Sequence, residues 1–322
     1  MEEKNDIDSP INKKWPQGIT VKEGQDGITI TLSETAAGLG EKYKNMQEDA
    51  ACFEGWAAIF RSLDRSLKIT LNAENELPPY KRTKANVHYA RFLYRALRFS
   101  EQYGDWFSLG DNVKGAVESF EKFLNAGKNA KNLINNSPSD SQAKTSPSRI
   151  ESIVEEMLAN KNKRRAVFYE AVGQSDKNAE VFRQLPVGLF ADKKSDGNEV
   201  FPASKSAVDL WTIDDDTVRI VELKAANPMV GVITETFFYA NFVRDLLNGF
   251  FSFNEEDGYI SRGYAELRAF ASKEKKNVQG VMLANSFDPL ITGDVIDVLK
   301  KNGQEDLNYV KTSYAFDIYF VR

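Results

Sequence analysis

The chain is poor in the residues that most often carry covalent staples and nucleophilic catalysis. Its 322 residues include one cysteine, Cys52, and one histidine, His88. A single thiol excludes an intramolecular disulfide and a cysteine-rich zinc site, and it fits a reducing interior. No orienting residues are readable around Cys52 or His88, so a thiol–imidazole catalytic pair is not expected. No run reaches the about 18 apolar residues of a membrane helix, so no membrane partner is expected. The opening stretch MEEKNDIDSPINKKWP has no apolar centre, which argues against a secretory leader and for a cytoplasmic location. A net charge of −5 excludes wholesale coating of nucleic acid but leaves room for a local basic groove.

What is present describes an ordinary globular chain, with 42% hydrophobic and 28% charged residues, long enough for two domains. The stretch 18–33 alternates around Gln25-Asp26-Gly27 and predicts a hairpin. Helices are predicted over 33–63, 82–103 and 112–134, with a strand at 67–73. NNSPSDSQAKTSPS, 135–148, has no large apolar residue and reads as a linker. It divides a mainly helical α+β accessory domain, 1–134, from a second domain, 149–322. Beyond it the pattern gives a helix in two pieces, strands at 185–191, 206–214 and 217–225, a helix at 234–250, a strand at 278–286, a helix at 294–302 and a strand at 314–321. The fold class is therefore α/β (α+β), with a mixed sheet flanked by helices in the C-terminal domain.

AVDLWTIDDDTVRIVELKAAN, 207–227, places charges inside apolar strands. Unpaired buried charges are costly. Side chains alternate faces along a strand, so Glu222 and Lys224 share a face. A hairpin turning at Asp215-Asp216 sets Asp209 opposite Glu222, with β-carbons about 4.5–5.5 Å apart. Two carboxylates that close need a cation between them. Mg²⁺ takes oxygen ligands and often uses only one or two carboxylates plus substrate phosphate. Such a metal polarises phosphate and acidifies bound water, and Lys224 beside it would steady the hydroxide or the developing charge on phosphorus.

Asp209, then Glu222-Leu223-Lys224 on the next strand and an amphipathic helix after it, resembles the PD-(D/E)XK nuclease superfamily, which has the restriction-endonuclease-like fold. The core order of that family, helix, three strands, helix, strand, is similar to the order read over 149–286. The resemblance implies Mg²⁺- or Mn²⁺-dependent hydrolysis of phosphodiester bonds, in DNA and less often RNA. It makes Asp209 and Glu222 metal ligands, with the Leu223 carbonyl facing the metal, and Lys224 the catalytic lysine. It implies a further acid from the first core helix, for which Glu151 and Glu155 are one turn apart. Glu235 and Tyr239 become supporting polar residues in the following helix. The Pro-Asp dipeptide of the family name is absent; Ala207-Val208 precedes the acid. The segment from Leu185 to Tyr239 is also similar to a bacterial group of nuclease-like proteins. A nuclease that cuts both strands often needs two active sites, which makes a homodimer an expectation. The competing expectations are a catalytically silent nuclease-like fold that binds nucleic acid or assists assembly, and a plain structural protein.

Two basic stretches are candidate nucleic-acid contacts. Arg91, Arg95 and Arg98 form an i, i+4, i+7 stripe that either tracks phosphates or is a solvated helix face. Lys163, Arg164 and Arg165 follow the first core helix, where they would offset phosphate charge or complement a helix dipole.

Overall fold

The computed structural model describes residues 15–24, 27–40, 45–138, 146, 149–160, 163–203, 206–225, 228–254 and 262–314. The expected hairpin forms from β1 (Ile19–Gly24) and β2 (Gly27–Leu32), in the register Gly24↔Gly27. The expected helix over 33–63 does not. Gly38 and Gly40 adopt φ of 87° and 83°, a left-handed conformation incompatible with a continuing right-handed helix. Among the described residues of that stretch, α1 (Phe53–Leu63) is the helical part. β3 (Lys68–Ala73), α2 (Val87–Gln102), β4 (Phe107–Leu109) and α3 (Asp111–Ala130) complete the first part. β1 to β4 form a sheet in sequence order, antiparallel at its first pair and parallel after it.

The second part opens with α4 (Ile150–Ala159) and α5 (Lys163–Val172), the two helical pieces expected. The strand expected at 185–191 is two strands in different sheets. β6 (Val181–Pro186) joins the large sheet. β7 (Leu189–Ala191) pairs with β8 (Glu199–Phe201) and with β5 (Leu133–Asn135). β5 takes up the start of the stretch expected to be linker, where Asn135 is fully buried. β9 (Ala207–Asp214), β10 (Thr217–Lys224), α6 (Gly231–Leu247), α7 (Tyr264–Phe270), β11 (Asn277–Ala284), α8 (Gly293–Lys300) and β12 (Leu307–Ser313) follow. Positions 315–321 of the expected last strand lie outside the described residues.

The large sheet runs β12-β11-β10-β9-β6. β6, β9 and β10 are successively antiparallel, while β11 lies parallel to β10 and β12 parallel to β11. Val221 and Leu223 point to one face, against Val154 of α4 and Phe168 of α5. Val218 and Ile220 point to the other, into a core shared with α6, α1 and α2. That core spans both parts of the chain: the Tyr94 and Phe238 rings lie 5.8 Å apart, and those of Phe99 and Phe237 5.3 Å apart. No helix among the described residues is long and apolar enough to cross a membrane.

Buried polar pairs also tie α2 to α6. Asp245 accepts hydrogen bonds from Arg98 (2.9 and 2.7 Å) and from the Tyr94 hydroxyl (2.7 Å). Breaking a buried pair from one side strands the other charge. Asp245→Ala should therefore cost about 3–5 kcal/mol in urea denaturation; a loss below about 1 kcal/mol would show that Arg98 finds compensation elsewhere.

Candidate active site

The acidic turn sets the register. β9 and β10 pair Thr217 with Asp214 and continue to Val221↔Leu210, the last ladder pair. The next positions in a symmetric hairpin are 222 and 209, just past the point where the pairing of β9 with β10 ends. There the Asp209 Oδ2 accepts the backbone N–H of Leu223 at 2.9 Å. Lys224 extends along the same face as Glu222, donates to its Oε1 at 2.7 Å, and lies 2.8 Å from the Glu235 Oε2 on the first turns of α6. Glu222, Lys224 and Glu235 are all buried. The Glu235 oxygen is close enough for an ion pair but lacks hydrogen-bond alignment, and Oε2 of Glu222 is buried with no hydrogen-bond partner.

The electrostatics follow from one ammonium serving an excess of carboxylates. Burial, reinforced by Glu155 and Glu235, outweighs Lys224 and the Leu223 amide and raises Asp209 from its usual 3.8 to about 7. Burial, then Asp209 and Glu235, raises Glu222 well above the usual carboxylate range. Burial opposes the charge on Lys224, but Glu222, Glu235 and Asp209 together hold it above its usual value. The three acids thus favour the charged ammonium. Tyr239, one turn beyond Glu235, is raised by burial and by the same three acids, and Arg91 counters them.

The two acids from the first core helix differ. Glu151 Oε1 accepts the N–H of Ala225 at 3.4 Å, just past the end of β10. Glu155 is buried, takes a hydrogen bond from Arg183 at 3.1 Å, and contributes to the field at Asp209. Its negative charge is therefore largely spent on β6. The arginine stripe is not a surface. Arg91, Arg95 and Arg98 are 7%, 2% and 9% exposed, because α2 is covered by α1, α3, α6 and β8. Neither phosphate tracking nor a solvated face describes them. The side chains of Lys163, Arg164 and Arg165 lie outside the described residues.

The donor set is all oxygen, which suits a hard divalent cation. No donor reaches the buried Oε2 of Glu222, its carboxyl is paired with that of Glu235, and Asp209 lies next to Leu210, the last residue of β9 in the ladder with β10. Among the described residues no group of three or more His, Cys, Asp or Glu side chains is placed to hold a metal ion. The donor types, two carboxylates and the Leu223 carbonyl, are those a magnesium ion uses, and the rest of its shell would be water and phosphate. Two contacts were not readable in the sequence: Glu235 touches Lys224 directly, and Arg183 neutralises Glu155. Comparison with protein families, curated proteins and solved structures finds no match.

Proposed function

We propose that the chain is a Mg²⁺- or Mn²⁺-dependent nuclease that hydrolyses phosphodiester bonds, with DNA as its substrate. The single observation that carries this reading is the acid excess at the end of the β9–β10 hairpin: Asp209, Glu222 and Glu235 gathered around one ammonium, with the Glu222 and Glu235 carboxyls also paired with each other. Within the large sheet and its flanking helices, the order α4, β6, β9, β10, α6, β11, with antiparallel–antiparallel–parallel pairing and with α5, β7, β8 and α7 as additions, supports it by its likeness to the order the resemblance implies.

Asp209 and Glu222, with the Leu223 carbonyl, would hold the cation, which supplies phosphate polarisation and a more acidic water when bound. The chain's own part is positioning and charge. Glu222 and Glu235 fix the Lys224 ammonium beside the ligands. Because the acids favour its charged form, Lys224 acts by stabilising charge that develops on phosphorus. Cutting both strands of a duplex calls for two such sites, which a homodimer would provide.

A silent nuclease-like fold is the second reading. It is favoured by the burial of Lys224 within two ion pairs, an arrangement that can also be purely structural. Calorimetry separates the two. Titration with Mg²⁺ or Mn²⁺ should give binding that Asp209→Ala or Glu222→Ala abolishes. Absence of binding, with or without DNA, favours the silent fold.

A further inference from the structure

We infer that Thr234 of α6 and Glu54 of α1 are positioning residues of the carboxylate–lysine site: a buried link from Arg95 through Glu54 to Thr234 fixes the first turn of α6, and that turn holds the Glu235 carboxylate against the Lys224 ammonium. The catalytic consequence rests on the nuclease reading; the placement of Lys224 does not. Thr234 and Glu235 are consecutive on α6. With about 3.6 residues per turn they leave the helix roughly 100° apart. Thr234 meets α1, while Glu235 meets β10, its Oε2 lying 2.8 Å from the Lys224 Nζ.

The link is enclosed along its length. The Thr234 hydroxyl donates to Glu54 Oε2 at 2.9 Å, and both residues are fully buried. Glu54 Oε1 lies 3.4 Å from Arg95 Nε, out of hydrogen-bond alignment, so Thr234 supplies the aligned contact to this carboxylate. The Arg95 Nη2 donates to the Ala51 carbonyl at 3.0 Å, which ties the guanidinium to the segment before α1. Burial pushes Arg95 down, and Glu54 and Glu235 oppose it, so the charge on Glu235 is felt at the far end of the link. A buried ion pair gains little net stability over apolar residues of the same volume. What this one provides is direction: it holds the acceptor that meets Thr234.

α6 needs this support because its own start is bare. Val230 occupies the N-cap position and no side chain caps the helix there, so the first turn lacks the usual cap. Close packing on the first part of the chain takes its place. A β-carbon on Gly231 would lie 2.0 Å from the Gln47 carbonyl oxygen, and one on Gly55, beside Glu54, would lie 2.6 Å from Val230 Cγ1. Only glycine allows an approach this close. Gln47, Glu54 and Gly55 thus converge on the turn that carries Glu235. Loss of one of these contacts lets the turn drift, and a misplacement of about 1 Å is enough to cost about 100-fold in rate.

The test uses the full chain labelled with nitrogen-15 and follows the Lys224 ammonium in proton–nitrogen correlation spectra, its signal identified by its absence from Lys224→Arg. An ammonium held by buried carboxylates should be visible in the wild type. Thr234→Val keeps the shape and removes the hydroxyl, and should move that signal by more than its linewidth or broaden it away. Thr234→Ser returns the hydroxyl and should return the signal. Asp245→Ala, which breaks a buried pair at the other end of α6, should leave the signal in place, so lost stability alone does not produce the shift. In parallel, Thr234→Val should slow single-turnover DNA cleavage with Mg²⁺ by about 10- to 100-fold, and Thr234→Ser should restore most of it. If Thr234→Val fails to fold by circular dichroism, Gly55→Ala, whose methyl must push Val230 aside, decides in its place. The positioning role is overturned by a wild type with no held Lys224 signal, by a signal unmoved in Thr234→Val or moved equally by Asp245→Ala, or by undiminished cleavage in a variant whose signal has moved. A signal that moves as expected in a protein that cuts no nucleic acid leaves the placement of Lys224 standing and overturns the nuclease reading instead.

Discussion

Lys224→Met should lower single-turnover phosphodiester cleavage by about 100- to 1,000-fold, the usual cost of removing one preorganised donor from a developing charge. The methionine keeps most of the volume and loses only the ammonium. The same change should destabilise the fold by about 3–5 kcal/mol, as expected when one partner of a buried ion pair is removed. The deficit should grow with pH. Glu222 is already raised above its unfolded value, and without the lysine it is raised further. A carboxyl raised in the folded state contributes stability that is complete below its unfolded value and is lost as pH climbs through the folded one. Urea denaturation at pH 5 and pH 8 reads this directly. Lys224→Arg should restore part of the stability, since the charge returns, but little of the rate, because a planar fork does not replace a point charge. Undiminished cleavage in Lys224→Met would remove the lysine from the chemistry.

Asp209→Asn should abolish cleavage yet stabilise the protein at alkaline pH. In the native protein the Asp209 carboxyl titrates near 7 rather than 3.8, chiefly through burial. The folded chain therefore holds a proton that the unfolded chain releases. Its contribution to stability is complete below about pH 4 and disappears as pH rises from 4 through 7. A difference of about 3 in pKa, at about 1.4 kcal/mol for each, bounds that loss near 4 kcal/mol. Asp209 retains some solvent contact, so the measured loss should be smaller. Asparagine cannot titrate, so the variant's stability should be flatter from pH 5 to 8 and higher at pH 8. Mg²⁺ should stabilise the wild type more at pH 8 than at pH 5, because the cation competes with that proton, and should not stabilise the variant. Parallel stability profiles for the two proteins would mean that Asp209 is not held protonated by its surroundings.

The β9–β10 hairpin was legible because its signal is local. Alternation and the Asp214–Asp216 turn fix the register, and the register puts 209 and 222 at facing positions. α4, α6 and α8 were legible for a similar reason, from their apolar periodicity, whereas α7, seven residues long, was not expected. Other features depend on tertiary partners. The region from Ser33 to Cys52 has a helical composition, but Gly38 packs its bare α-carbon within reach of the His88 backbone, and that contact comes from α2. The arginine stripe shows the general limit: spacing tells that Arg91, Arg95 and Arg98 share a face, not whether that face meets solvent or other helices. Glu235 was placed one turn from Tyr239 by spacing, but its contact with Lys224 arises because α6 packs across β10. β8 is three residues long and carries no periodicity to read.

The central claim is that Asp209, Glu222 and Lys224 form a cation-dependent phosphodiester-cleaving site. Cleavage of plasmid, linear and single-stranded DNA and of RNA, with Mg²⁺ or Mn²⁺, tests it most directly when wild type and Glu222→Gln are compared. The wild type should cut DNA only when the metal is present, and Glu222→Gln, folded by circular dichroism, should be inert. Absence of cutting on every substrate, or equal cutting by both proteins, would contradict it.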